Sequence, residues 1–170
     1  MTLAIETIAA PDLTREGLLS DCLLALNNAH EVELSRLTAD RMRRLATNAF
    51  VATRIGSVEA FLIAFDQGAD YDSPNFLWFR GRLARFVYVD RVVVAESSRG
   101  LGHARRLYFD LFARARRAGH DCIVCEVNST PPNPGSDAFH AAMGFGEIGA
   151  MTIHDGAKSV RYLMRELGPS

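Results

Sequence analysis

The stretch FVYVDRVVVAESSRGLGHARRLYFDLFARARR, residues 86–117, runs from a β-branched strand through a glycine-bearing turn into a patterned helix. Residues 86–94 are almost all Val, Tyr or Phe, which suit a pleated, buried surface. From residue 101, Leu101, Ala104, Leu107, Tyr108, Leu111, Phe112 and Ala115 recur at helical spacing, with Arg105, Asp110, Arg114 and Arg117 off that face. Gly100 and Gly102 stand just where the helix begins, at an entropic cost that must have a reason. The first amides of a helix lack partners within it, and the helix dipole adds partial positive charge there. A strand, a glycine turn and a helix N-terminus together make a cradle for phosphate, and Arg99, Arg105 and Arg106 add full charges at its rim.

Working outward, LAIETI near the start reads as a short strand, and a helical pattern runs from about Leu13 to Arg44. NNAHE at 27–31 breaks it, with a second helix expected through Leu34, Leu37 and Met42. AFVATRI (49–55) and VEAFLIAF (58–65), joined across Gly56-Ser57, predict a hairpin. DQGADYDSPN (66–75) reads as a polar loop. After the central helix, DCIVCEV (121–127) predicts a strand, STPPNPGS a loop and DAFHAAM a short helix. GFGEIGAMTI and SVRYLMREL predict two final strands. No repeat or linker divides the chain, so residues 1–170 are expected to form one domain, a mixed central α/β sheet flanked by helices.

Composition excludes several classes. Hydrophobic residues make 48% and charged residues 23% of the chain, the balance of a globular protein. A net charge of −1 offers no field for a nucleic-acid backbone, and no apolar run is long enough to span a membrane. The N-terminus has no basic region of the kind a secretory signal carries. Lys158 is the only lysine, a compositional habit of the sequence. Cys22, Cys122 and Cys125 give no disulfide framework, which points to a reducing, cytoplasmic setting. Cys122 and Cys125 have CxxC spacing but sit in a strand, where residues three apart point to opposite faces, so no metal site is expected.

Two familiar phosphate motifs do not fit. A Walker loop needs a lysine after its last glycine, and the only lysine is far away; a dinucleotide fingerprint needs a third glycine where Arg105 stands. RGLGHA instead resembles the R/Q-x-x-G-x-G/A signature of GCN5-related N-acetyltransferases (GNAT), with Arg99, Gly102 and Ala104 on the defining positions. VYVDRVVVAESSRG upstream resembles that fold's fourth strand. VNSTPPNPGSDAFHAAMGF downstream is similar to its second cofactor motif, an asparagine after a strand and a helix ending in Gly-Phe. The resemblance covers roughly residues 50–150.

The resemblance implies the GNAT fold, acetyl-CoA as cosubstrate and direct acetyl transfer to an amine within a ternary complex. Backbone amides around Val92 and Val94 would bind the pantetheine arm and polarise the thioester carbonyl. The amides of Arg99, Gly100, Leu101, Gly102, His103 and Ala104 would hold the pyrophosphate, with Asn133 and Asn128 beside the pantetheine. Asp90, a carboxylate within an apolar strand, aligns with the family's acidic position for a general base; Glu126 on the facing strand is its rival, and pairing of Asp90 with Arg91 or Arg85 the structural alternative. His140 stands where many relatives have a tyrosine that protonates the departing sulfur. NNAHEVE (27–33) and DYDSPNFLWF (70–79), with Trp78, are candidate walls for the acceptor, and equally solvated loops or packing. A small amine or amino acid is the expected acceptor. A protein N-acetyltransferase and a non-catalytic acyl-CoA-binding or sensing domain share these motifs, and a homodimer is left open.

Overall fold

A computed structural model describes residues 2–14, 17–153 and 155–169. Seven strands, β1 (Ile5–Thr7), β2 (Val51–Ile55), β3 (Ala60–Asp66), β4 (Phe86–Val94), β5 (Cys122–Thr130), β6 (Gly146–Ile153) and β7 (Lys158–Glu166), form one sheet in the order β1-β2-β3-β4-β5-β7-β6. Every neighbouring pair is antiparallel except β4 with β5. Parallel strands need a crossover, and here α4 (His103–Arg117) supplies it. The other helices are α1 (Leu18–Asn28), α2 (Ala39–Asn48), α3 (Pro74–Arg80) and α5 (Pro134–Ala142). No helix among the described residues is long and apolar enough to cross a membrane.

Alternation along the strands divides the core in two. Phe86, Tyr88, Cys122, Val124, Val160 and Tyr162 pack on one face with residues of α1, α2 and α3, including Leu23, Met42, Phe76 and Phe79. Val87, Val89, Ile123, Cys125 and Val127 pack on the other with Leu107, Tyr108, Leu111, Phe112 and Ala115 of α4. Cys122 and Cys125 thus face opposite ways, as strand periodicity requires. The face expected of α4 is the buried one, except that Leu101 precedes the helix and is 65% exposed.

Three expectations are corrected. The helix expected through Leu34 and Leu37 starts only at Ala39, where Thr38 caps it by accepting from the amide of Arg41. The cause is the Asn27-Asn28 pair: Asn28 Oδ1 accepts from the Leu37 amide at 2.9 Å and its Nδ2 donates to the Leu37 carbonyl, while Asn27 Nδ2 donates to the Ser35 carbonyl. Those contacts hold residues 29–38 as a loop. The helix expected from Leu13 begins at Leu18, and residues 15 and 16 lie outside the described ones. In the segment taken as loop, Pro74 opens α3, whose Phe76 and Phe79 are fully buried. Proline suits the first helical turn, where its missing N–H is not needed.

Candidate active site

β4 and β5 pair only at Phe86–Cys122, Val87–Ile123 and Tyr88–Val124. Beyond that they diverge, and a cavity of about 560 Å³ opens between residues 89–94 on one side and 125–128 on the other. A bulge shapes the first wall: Ile63 faces Arg91 while the next residue, Ala64, faces Val89, leaving Asp90 as the extra residue. A bulge breaks the alternation of a strand, so consecutive residues Asp90 and Arg91 meet on one face, with Asp90 Oδ2 accepting from Arg91 Nε at 2.7 Å.

At one end of the cavity lies the glycine turn. Gly100 and Gly102 have φ of 78° and 77°, a region closed to most side chains, and Gly102 is the N-cap of α4 with no side-chain cap. The first-turn amides of α4 therefore have neither helical nor side-chain partners, the donor set an anion fits. Arg99 and Ala104 line the cavity, as do Val92, Val94, Asn128 and Asn133. Gly100, Leu101, Gly102 and His103 form the turn outside its lining; the His103 ring is buried without a partner. Asn133 caps α5 through Oδ1, which accepts from the Ser136 amide.

Glu126 stands on the wall formed by β5. Burial pushes its carboxyl up from 4.5 to about 7, opposed by Tyr88, while the charge of Asp90 adds to the rise and the Asn75 side chain holds it down. Its Oε2 is sealed and has no hydrogen-bond partner among the described residues. Asn75 is itself fixed, its Oδ1 accepting from the Tyr162 hydroxyl at 2.9 Å. Asp90 is in a different state. Its two oxygens take the Arg91 Nε–H and, at 2.5 Å, the Tyr71 hydroxyl, and its side chain is 5% exposed. Arg91 also donates to Asn27 Oδ1 at 2.8 Å, tying the 29–38 loop to β4. Burial pulls the Arg91 guanidinium down, but the carboxylate of Asp90 outweighs it and the group is raised. Of the two carboxylates the sequence proposes, one is paired and one is poised.

On the face of the sheet toward α4, the lining consists of Cys125, the neighbour of Glu126 on β5, with Tyr108 and His140. His140 Nδ1 lies 2.8 Å from the Ser136 carbonyl, which can only accept, so that nitrogen carries the proton. Nε2 is then the acceptor for the Tyr108 hydroxyl at 2.7 Å. Burial lowers the imidazole's pKa, against the pull of Ser136 and Asp137, and so favours this neutral form. Burial, then the charge of Glu126, pushes the Cys125 thiol well up.

The Asp90–Arg91 pair is the structural alternative the sequence offered. The sequence missed Tyr108, which lines the cavity, and Tyr71, Tyr88 and Asn75, which act on its two carboxylates from outside the lining; nothing local marks a tyrosine or asparagine for such a place. Of the expected acceptor wall at 27–33, His30 and Glu33 line the cavity, with Leu34 just beyond that stretch, and His30 Nε2 accepts from Arg99 at 3.0 Å. Trp78 does not line it. Trp78 stacks on Tyr162 at 4.2 Å, with the Arg82 guanidinium 4.0 Å over its ring.

Comparison with known proteins agrees with this geometry. Residues 19–145 match the family model described as Acetyltransferase (GNAT) family. No curated protein matches the chain in sequence. Among solved structures, the ribosomal-protein-alanine N-acetyltransferase from Brucella melitensis is similar, with TM-score 0.70 and 20% identity over 96% of this chain and 99% of that one. The ribosomal-protein-S18-alanine N-acetyltransferase from Escherichia coli has TM-score 0.69 and 13% identity, over 98% and 95%. The NatC complex bound to Gag peptide and CoA includes a chain with TM-score 0.72 and 15% identity, over 99% and 100%.

Proposed function

The chain belongs to the acetyltransferase (GNAT) family, and from that premise we propose that it moves the acetyl group of acetyl-CoA to the amine of a small molecule or amino acid, by direct transfer in a ternary complex. The observation that carries the reading is Glu126, a carboxylate held near neutrality on the wall of the strand gap. A protonated amine has no lone pair, and a base of pKa near the working pH is best suited to take its proton.

In this reading the cofactor's pantetheine arm lies in the gap between β4 and β5, with its pyrophosphate on the free amides at the start of α4 and Arg99 beside it. Backbone amides near Val92 and Val94 face the thioester oxygen and stabilise the charge that gathers there. Glu126, directly or through water, takes the amine proton. The nitrogen bonds to the carbonyl carbon, the C–S bond breaks, sulfur leaves with its electron pair, and the second proton that the nitrogen sheds as the amide forms passes through solvent to the thiolate. Asp90 positions Arg91 and, through it, the acceptor-side loop. His140 has both nitrogens engaged, so its role is to fix the Tyr108 hydroxyl rather than to protonate sulfur. Cys125 stays a thiol, which argues against an acetyl-enzyme.

Calorimetric titration with acetyl-CoA, followed by thiol release over small amines, amino acids and peptides, tests the proposal. Binding and turnover with a small amine support it. Turnover with peptides alone makes the chain a protein N-acetyltransferase, and binding with no acceptor a sensing domain. Absence of binding overturns the reading.

A further inference from the structure

Resting on the acetyl-transfer reading, we infer that the acceptor carries an anionic group several bonds from its amine, and that Lys158 receives that group. Three basic side chains other than histidine line the cavity: Arg91, Arg99 and Lys158. Arg91 is bound by Asp90 and Asn27. Arg99 belongs to the glycine turn and donates to His30. The Lys158 side chain forms no hydrogen bond or ion pair among the described residues, which leaves it as the uncommitted cation of the wall.

Its position follows from register. Tyr162 faces Glu126 across β7 and β5, and Asn128 faces Val160. Alternate residues share a face, so Lys158, at the start of β7, stands on the face of Val160 and Tyr162, about 13 Å along the strand from the Glu126 row at ~3.3 Å per residue. A lysine's flexible four-carbon stem spans only part of that interval. An α-amino acid, whose amine and carboxylate share one carbon, is too short to engage both Glu126 and Lys158. An amine with a distal carboxylate or phosphate spans them. Glu33 and Glu126 on the same cavity give the lining both signs of charge, the complement of a molecule that itself carries both. Lys158 is half-buried, and a bound oxyanion gives its ammonium the partner it lacks. At every other basic position the chain uses arginine; here it keeps a compact, rotatable charge that meets oxyanions without a fixed fork geometry.

The test compares kcat/KM at saturating acetyl-CoA for α-amino acids, ω-amino carboxylates of increasing length, ω-aminoalkyl phosphates and neutral amines of matching length. The wild-type protein is expected to prefer an anionic amine over its neutral counterpart by about tenfold or more, the scale of one charge-assisted contact, with an optimum beyond the α-amino acids. Lys158→Met should bring that ratio close to one by raising KM for the anionic amines, and Lys158→Arg should keep much of it. The carboxylate and phosphate series identify which oxyanion is taken. Equal use of anionic and neutral amines by the wild type, or a ratio that survives in Lys158→Met, overturns the inference and leaves acetyl transfer standing. Failure to bind acetyl-CoA overturns both.

Discussion

Replacing Glu126 by glutamine keeps the shape of the side chain and removes its charge, so it separates the two things this residue does. As a base, Glu126 should make the rate follow ionisation of a carboxyl near pH 7. The ionised fraction is about a tenth at pH 6 and about nine-tenths at pH 8, so kcat/KM should rise roughly tenfold across that interval in the wild type, while the loss of a general base costs ~10²- to 10⁴-fold in the variant. As a buried group, it should do the reverse for stability. Its folded pKa lies above the unfolded value, so the neutral form is the one the fold favours. That contribution is complete below about pH 4.5, is lost as the pH rises through about 7, and leaves the ionised group as a burden above it. Holding the carboxyl from 4.5 up to about 7 corresponds to about 3 kcal/mol at ~1.4 kcal/mol per tenfold. Glu126→Gln should therefore melt several degrees higher than wild type at pH 8 and at the same temperature near pH 4. Thiol-release kinetics from pH 5.5 to 8.5 and thermal melts at both ends are the measurements. A variant that turns over normally, or one that is less stable at pH 8, would refute the reasoning.

Asp90→Asn leaves Arg91, 5% exposed, without its counter-charge, and should cost about 3–5 kcal/mol in denaturant melts; removing Asp90's charge should also move the pH–rate midpoint below its wild-type value, because that charge helps to raise Glu126. Gly102→Ala puts a side chain at φ 77° with nothing within 4 Å of the new Cβ, so stability should fall by about 1–2 kcal/mol from backbone strain alone; calorimetry should show acetyl-CoA affinity falling much further than that strain explains. Tyr108→Phe strips the donor from a buried imidazole nitrogen and should destabilise by about 1–3 kcal/mol, read as a lower Tm, whereas an unchanged melt would mean that the Tyr108–His140 bond adds nothing. Gly149→Ala would place Cβ 2.7 Å from the Trp78 ring; it should unseat the stack on Tyr162, cost about 1–3 kcal/mol, and quench or shift the emission of the single tryptophan.

Much of the fold was legible because its strongest signals are periodic. The alternation of 86–94 and 121–127, the helical stripe of 104–115 and the glycine turn between them locate the parallel pair and its crossover without reference to the rest of the chain. Local chemistry that competes with periodicity was harder to see. Leu34 and Leu37 have helical spacing, but the amide groups of Asn27 and Asn28 bind backbone nearby and keep the segment out of the helix. α3 is seven residues long, too short for a period to show. At the site, the sequence offered Asp90 and Glu126 as rival bases without a way to rank them. What separates their surroundings is a single inserted residue of β4 that turns Asp90 onto Arg91, and register of that kind is a property of two strands rather than one. His140 was singled out by the family resemblance, but its partner Tyr108 is on another helix, and only the folded chain brings the two within 2.7 Å.

The early end of pairing between β4 and β5 also bears on how the protein fares when empty. Most sheets confine their unsatisfied edges to the periphery, where lysines, prolines or short strands discourage other chains from joining. Here two further edges lie in the middle of the sheet, along apolar residues such as Val92, Val94 and Val127, where the strands part around the cavity. An occupant with its own amide groups completes the ladder as a missing strand would. On the acetyl-transfer reading, the unliganded protein is the form open to strand addition, and saturating it with acetyl-CoA during storage should protect it by covering backbone as well as by shifting the folding equilibrium.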